Sequence, residues 1–139
     1  MNPQTIFLDI SGILAVLDAD ADEFPAARET WTSWVLQATP FVTSNYVVVE
    51  TLAVIQRRYG MTAVRALHDE LLPLVYITWI DETLHEQAFQ QFLVANRHQL
   101  SLVDCTSFTL MRALGLRSVF TFDPHFAEQG FTCYPELSP

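Results

Sequence analysis

The sequence predicts an α/β fold in three layers, a central and mainly parallel sheet of four to five short strands flanked by helices on both faces. Three observations predict it. Short apolar runs of strand length alternate with longer segments of helical periodicity, the pattern of parallel strands joined by crossover helices. Half of the 139 residues are apolar, enough for a chain of this size to bury a substantial core. Finally, the acids Asp9, Glu50, Asp104 and Asp123 each interrupt a segment that otherwise reads as core. No repeat, linker or low-complexity tract divides the chain, so one domain over residues 1–139 is expected.

Residues 5–10 read as a short buried strand ending at an acid, and residues 41–43, 75–80 and 118–122 read as further strands. Residues 25–37 carry apolar side chains at helical spacing, with acids around the start. Ser44 has the short hydroxyl that caps a helix, here one running to about Tyr59, where Gly60 stops it. Residues 61–72 predict another helix, ended by Pro73, which has no N–H to continue the ladder. Residues 81–97 predict an amphipathic helix with Leu84, Ala88, Phe89, Phe92 and Leu93 on one face and Glu82, Glu86 and Gln90 elsewhere. Ser101 caps a last helix through Leu114, and Gly115 ends it.

A net charge of −9, from 7 arginines and no lysine against 16 acids, excludes diffuse attraction to nucleic acid. A polyanionic substrate must be drawn by bound metal and a local arginine cluster, whereas a basic protein partner is attracted by the whole molecule. Cys105 and Cys133 lack CxxC spacing, and no stretch approaches the roughly 18 apolar residues of a membrane span. The N-terminal MNPQTIF has no basic region ahead of a long apolar run. These features predict a reducing, cytoplasmic setting away from membranes.

A lone ionised carboxylate held away from water costs several kcal/mol, so acids set among apolar residues imply shared compensation. In open parallel sheets, sites form outside the carboxyl ends of strands where connections diverge. Asp9 and Asp123 each follow a predicted strand; Glu50 lies about two turns into the Ser44 helix, and Asp104 in the first turn of the Ser101 helix. All are therefore expected at one edge of the sheet. Their all-oxygen donor set points to Mg²⁺ or Mn²⁺. Each acid alone has a plainer explanation as cap, turn or ion pair, and the helix dipole favours Asp104 where it stands. Several such accidents, one per core segment, are harder to accept than one site. Ser11 and Ser107 are spaced to turn hydroxyls toward the same cavity, although such serines more often bond backbone. Arg57 and Arg58 follow Glu50 by two turns, suited either to phosphate or to the helix C-terminal dipole.

The segments FLDISGILAVLD, TSNYVVVETLAVIQRR, LSLVDCTSFTLMRALG and VFTFDPHF stand in the order and at the spacing of a known pattern. On them the chain resembles the PIN-domain nucleases, and within these the small ribonuclease toxins of the VapC type, over almost its whole length. The resemblance implies a PIN-like fold and a metal-dependent endoribonuclease, the toxin of a toxin–antitoxin pair. Carried over by residue, the metal ligands and catalytic acids are Asp9, Glu50, Asp104 and Asp123. Ser11 matches the small polar residue beside the first acid, and Thr121 the threonine two positions before the last. Arg57, Arg58, Ser107 and Thr121 are then the expected substrate contacts, with Mg²⁺ or Mn²⁺ as cofactor. The implied partners are a single-stranded or structured RNA, a small antitoxin whose basic segment enters the acidic site, and a second copy in a homodimer. Absence of lysine departs from many family members.

Other signals are weaker. Asp18, Asp20, Asp22 and Glu29 match calcium-loop positions, but Glu23 occupies the required glycine, Pro25 follows, and a strand is expected shortly before. His68, His85, His98 and His125 lack zinc pair spacing; His125 alone stands near an acid motif, where it is a candidate substrate contact, although its DPHF turn explains it without function. Cys105 reads as a small buried residue, and Trp31, Trp34 and Trp79 as core or partner-facing. A phosphorylated receiver needs a lysine that this chain lacks, and a dehalogenase-type phosphohydrolase needs an Asp where Ser11 stands. The remaining alternative is a non-catalytic PIN-like module that binds metal or a basic partner.

Overall fold

The computed structural model describes residues 4–136, so the ends of the expected 1–139 domain and part of the N-terminal MNPQTIF lie outside the described residues. Five short strands, β1 (Ile6–Leu8), β2 (Phe41–Ser44), β3 (Val75–Thr78), β4 (Ser118–Phe120) and β5 (Thr132–Tyr134), form one sheet in the order β3-β2-β1-β4-β5. Every neighbouring pair is parallel, with Ile6 opposite both Phe41 and Ser118. The sheet is thus wholly parallel rather than mainly so. β1 at its centre is buried at every residue, as a strand covered on both faces must be.

Between β1 and β2 run α1 (Ile10–Leu17) and α2 (Phe24–Leu36), and between β2 and β3 run α3 (Asn45–Tyr59) and α4 (Met61–Ala66). α5 (Glu82–Ala95) and α6 (Leu102–Leu114) carry the chain to β4, and α7 (His125–Glu128) leads to β5. The chain leaves β1 toward β2 on one side and returns to β4 on the other. Right-handed crossovers in opposite directions place their helices on opposite faces and open a crevice between the carboxyl ends of β1 and β4.

Aromatic packing fixes the layers. Trp31 of α2 stacks on Phe41 at 4.5 Å between ring centroids, and Trp34 meets Phe120 and Tyr134 edge-on, so one helix clamps β2, β4 and β5. On α6, Phe108 packs edge-on against Phe126 of α7. The expected caps are present: Ser44 Oγ accepts from Val47 N at 3.1 Å, and Ser101 forms a reciprocal capping box with Asp104. Gly60 and Gly115 end their helices at positive φ, where a Cβ is strained.

Several boundaries differ from expectation. The first strand stops at Leu8, because Asp9 caps α1 by accepting from Ser11 N, and the helix then runs to Leu17. A helix therefore precedes the Asp18 loop, which corrects one argument against calcium; Asp18 itself accepts from Tyr59 Oη at 2.7 Å and Asp20 N at 3.0 Å. The 61–72 helix loosens into a π turn (Leu67–Leu71) and a 3-10 turn (Leu72–Leu74) that contains Pro73. β3 ends at Thr78 and β4 at Phe120, earlier than expected, while Leu93 of α5 points to solvent and not to the core.

Candidate active site

Asp9 sits at the switch point, immediately after β1, and is 2% exposed. Its position as N-cap of α1 turns the carboxylate back toward β4. Oδ2 accepts from Ser11 Oγ at 2.7 Å, from Thr121 Oγ1 at 2.8 Å and from Ser11 N at 3.4 Å. Both hydroxyls are held in turn by the chain leaving β4, since Phe122 N donates to Ser11 Oγ at 2.9 Å and Asp123 N donates to Thr121 Oγ1 at 3.0 Å. Two hydroxyls thus tie α1 to the segment after β4. They occupy one oxygen of Asp9, and among the described residues no hydrogen bond is assigned to the other.

Asp104 is set by the capping box at the start of α6, with Oδ2 accepting from Ser101 N at 3.1 Å. Asp123 accepts His125 N at 2.9 Å on Oδ1, a turn that points its carboxylate at the crevice. Atoms of Asp104, Asp123 and His125 able to ligate a metal all lie within 4.8 Å of one another. Glu50, half-buried on α3, lines a groove of about 380 Å³ with Asn45, Tyr46, Val49, Ala53 and Val103, the last adjoining Asp104.

The acids feel one another. Burial pushes Asp9 up to about 6 from 3.8; the Ser11 and Thr121 hydroxyls oppose the rise, and the charges of Asp104 and Asp123 add to it. Burial raises Asp104 too, against the Ser101 amide, with Asp123 adding. Glu50 is raised by burial and then by Asp104. The structure therefore groups Asp104 and Asp123 with His125 and sets Asp9 within electrostatic reach of both acids, while Glu50 stands outside that group and feels Asp104 alone.

Other expected residues are placed differently. Ser107 and Thr121 are 0% and 4% exposed, so their burial counts against direct contact with a polymer substrate. Thr121 holds Asp9 instead. Arg57 and Arg58 are exposed on the last turn of α3, roughly 10–12 Å along the axis from Glu50 at 1.5 Å per residue. Arg58 lies near enough to Asp18 to lower its carboxyl. His125, singled out in sequence as the one histidine near an acid motif, joins the acid group two residues after Asp123.

These residues fit a divalent cation. Converging carboxylates supply hard oxygen donors, one oxygen of Asp9 is left over by its hydroxyl partners, and a buried imidazole nitrogen has no hydrogen bond.

Fold and site together define a parallel α/β protein with an acidic, cation-attracting centre at its topological switch point. The chain belongs to the PIN-domain family, whose family model matches residues 6–131. It is 32% identical over 127 residues to the 23S rRNA-specific endonuclease VapC20 of Mycobacterium tuberculosis, covering 91% of this chain and 95% of that protein. The crystal structure of VapC20, a sarcin-ricin loop cleaving toxin, superposes with a TM-score of 0.81 at 30% identity, covering 91% of this chain and 96% of that one. FitAcB from Neisseria gonorrhoeae shares the fold, at a TM-score of 0.68 and 18% identity over 93% of this chain and 96% of the other.

Proposed function

We propose that this PIN domain, taken as one unit over residues 1–139, is a metal-dependent endoribonuclease and the toxin of a toxin–antitoxin pair. The observation that carries the reading is the grouping of Asp104 and Asp123 beside Asp9 at the switch point, with Glu50 in reach of Asp104, in a family fold whose relative VapC20 is an rRNA endonuclease. Those acids would hold Mg²⁺ or Mn²⁺. When bound, the ion supplies an activated water near neutral pH and neutralises charge on the leaving oxygen.

The chain's own residues do the rest. Ser11 and Thr121 orient Asp9, and the Ser101 capping box orients Asp104. Arg57 and Arg58 extend the site along α3 as contacts for flanking phosphates, needed because the net charge of −9 repels RNA at long range. The substrate class is RNA, single-stranded or structured. The same acidity suits a small antitoxin with a basic segment that covers the site, in a cytoplasmic homodimer. The alternative, a non-catalytic PIN-like module, is not favoured, since the acidic set is complete and the 32% identical relative is an endonuclease.

The test is cleavage of a labelled RNA pool by partner-free protein with Mg²⁺ or Mn²⁺, against EDTA, Asp9→Asn and Asp104→Asn. Cleavage that requires both metal and acids is expected. Equal products from wild type and variants would mean contamination, and folded wild type that binds metal without cutting any RNA would favour the interaction module.

A further inference from the structure

His125 is held more firmly than a surface turn residue. Its amide is bonded to Asp123 Oδ1, and the next residue, Phe126, is fully buried against Phe108. The imidazole is 12% exposed, and its Nδ1 is closed to solvent. That nitrogen lies 2.9 Å from Asp123 Oδ1, yet out of line for a hydrogen bond, and has no other partner among the described residues. A buried polar atom in this state calls for an explanation. Cis ligand atoms about 2.1 Å from a shared octahedral ion sit about 3.0 Å apart, and trans ones about 4.2 Å. The 2.9 Å separation matches the first, and the 4.8 Å limit on the Asp104, Asp123 and His125 set is within side-chain adjustment of the second. One turn after Asp104, the Ser107 hydroxyl is a second buried polar group without a hydrogen-bond partner among the described residues.

We propose that His125 is a nitrogen ligand to the cation held by Asp104 and Asp123, so that this centre takes Mn²⁺ in preference to Mg²⁺. Imidazole is a softer donor than carboxylate, and it favours first-row transition ions over Mg²⁺ more strongly than an all-oxygen set does. The inference rests on the metal-binding reading of the acids given above.

The experiment uses tag-free full-length protein titrated with Mn²⁺. Loss of the free-ion electron paramagnetic resonance signal measures binding, competition with Mg²⁺ measures preference, and spin-echo modulation detects nitrogen bonded to the ion. Wild type is expected to show nitrogen coupling that His125→Gln abolishes. The variant should bind Mn²⁺ about tenfold more weakly, with Mg²⁺ affinity changed less than about threefold. Mn²⁺ bound without nitrogen coupling, or coupling that survives in His125→Gln, overturns the proposal and leaves the acidic metal site standing. Wild type that binds no Mn²⁺ overturns both. The wild-type spectrum decides even where the variant fails to fold.

Discussion

Asp9 is where stability and function oppose each other. Burial raises its carboxyl to about 6, against 3.8 for the ordinary group, so the folded chain holds this proton more tightly than the unfolded one. Its contribution therefore favours the fold below about pH 4 and is lost as pH rises through about 6. The shift corresponds to roughly 3 kcal/mol. Glu50 and Asp104 are raised as well and act in the same direction. Metal-free wild type should consequently lose several degrees of Tm between pH 5 and pH 8. Asp9→Asn should melt higher than wild type at pH 8, flatten that slope, gain less from added Mn²⁺ and cut RNA about 100-fold more slowly. Thermal melts with and without metal, beside cleavage rates, check all four; a variant less stable than wild type at pH 8 would contradict the argument. Thr121→Val removes the hydroxyl between Asp9 and the Asp123 amide, taking a donor from buried Asp9 and leaving a part-buried N–H without its partner. It should cost about 1–3 kcal/mol and slow cleavage about tenfold, while Thr121→Ser restores most of the rate. The acids were legible in sequence because a charge in an apolar run violates its surroundings. The inward direction of the Thr121 and Ser107 hydroxyls was not, since a polar side chain is compatible with either face until its neighbours are known.

At the scale of elements, the site depends on how closely α1 lies on β4. A Cβ added at Gly12 would stand 2.5 Å from the Phe120 carbonyl oxygen and 2.7 Å from its ring, and the backbone contact cannot be relieved by a rotamer change. Gly12→Ala should therefore push α1 off the sheet, carrying Asp9 and Ser11 away from Thr121. The expected loss is about 1–3 kcal/mol or more, with a fall in cleavage larger than the stability loss explains. Urea unfolding paired with single-turnover cleavage on the folded fraction separates the two effects; unchanged kinetics in a folded variant would show that this contact does not position the site. Long periodic helices with caps were legible in sequence, and α3, α5 and α6 begin or end at the residues whose chemistry demands it, Ser44, Asp81, Ser101, Gly60 and Gly115. Short elements held by tertiary contact were not. β5 is three residues whose ladder exists only because β4 lies beside it, and α7 is a single turn pinned by Phe126.

For the whole molecule, fold class and charge are legible in the chain itself, because alternation and composition need no contacts to be interpreted. Which apolar side chains stay outside is not. Helical spacing placed Leu93 with the core, yet it is exposed, as are Val94, Leu36 and Trp79, the last at 75%. The charge carries a prediction of its own. With a net −9 and no lysine, the proposed nuclease would have to hold RNA by its metal centre and a few arginines and not by a basic surface. For single-stranded RNA the logarithm of affinity falls with that of salt at a slope of about −0.7 per phosphate neutralised. If Arg57 and Arg58 each neutralise one, KM should rise roughly sevenfold between 50 and 200 mM salt at saturating metal, against roughly 300-fold or more for a protein making 6–10 such contacts. The double variant Arg57→Ala with Arg58→Ala should raise KM at low salt and leave it almost independent of salt, while kcat changes little, because the arginines bind flanking phosphates and not the reacting one. Cleavage kinetics across that salt range decide the matter. A slope unchanged by the double variant would move the phosphate contacts elsewhere, with Arg65 and Arg112 the next residues to substitute, and a steep slope would mean that the fold gathers its arginines into a basic surface that composition conceals.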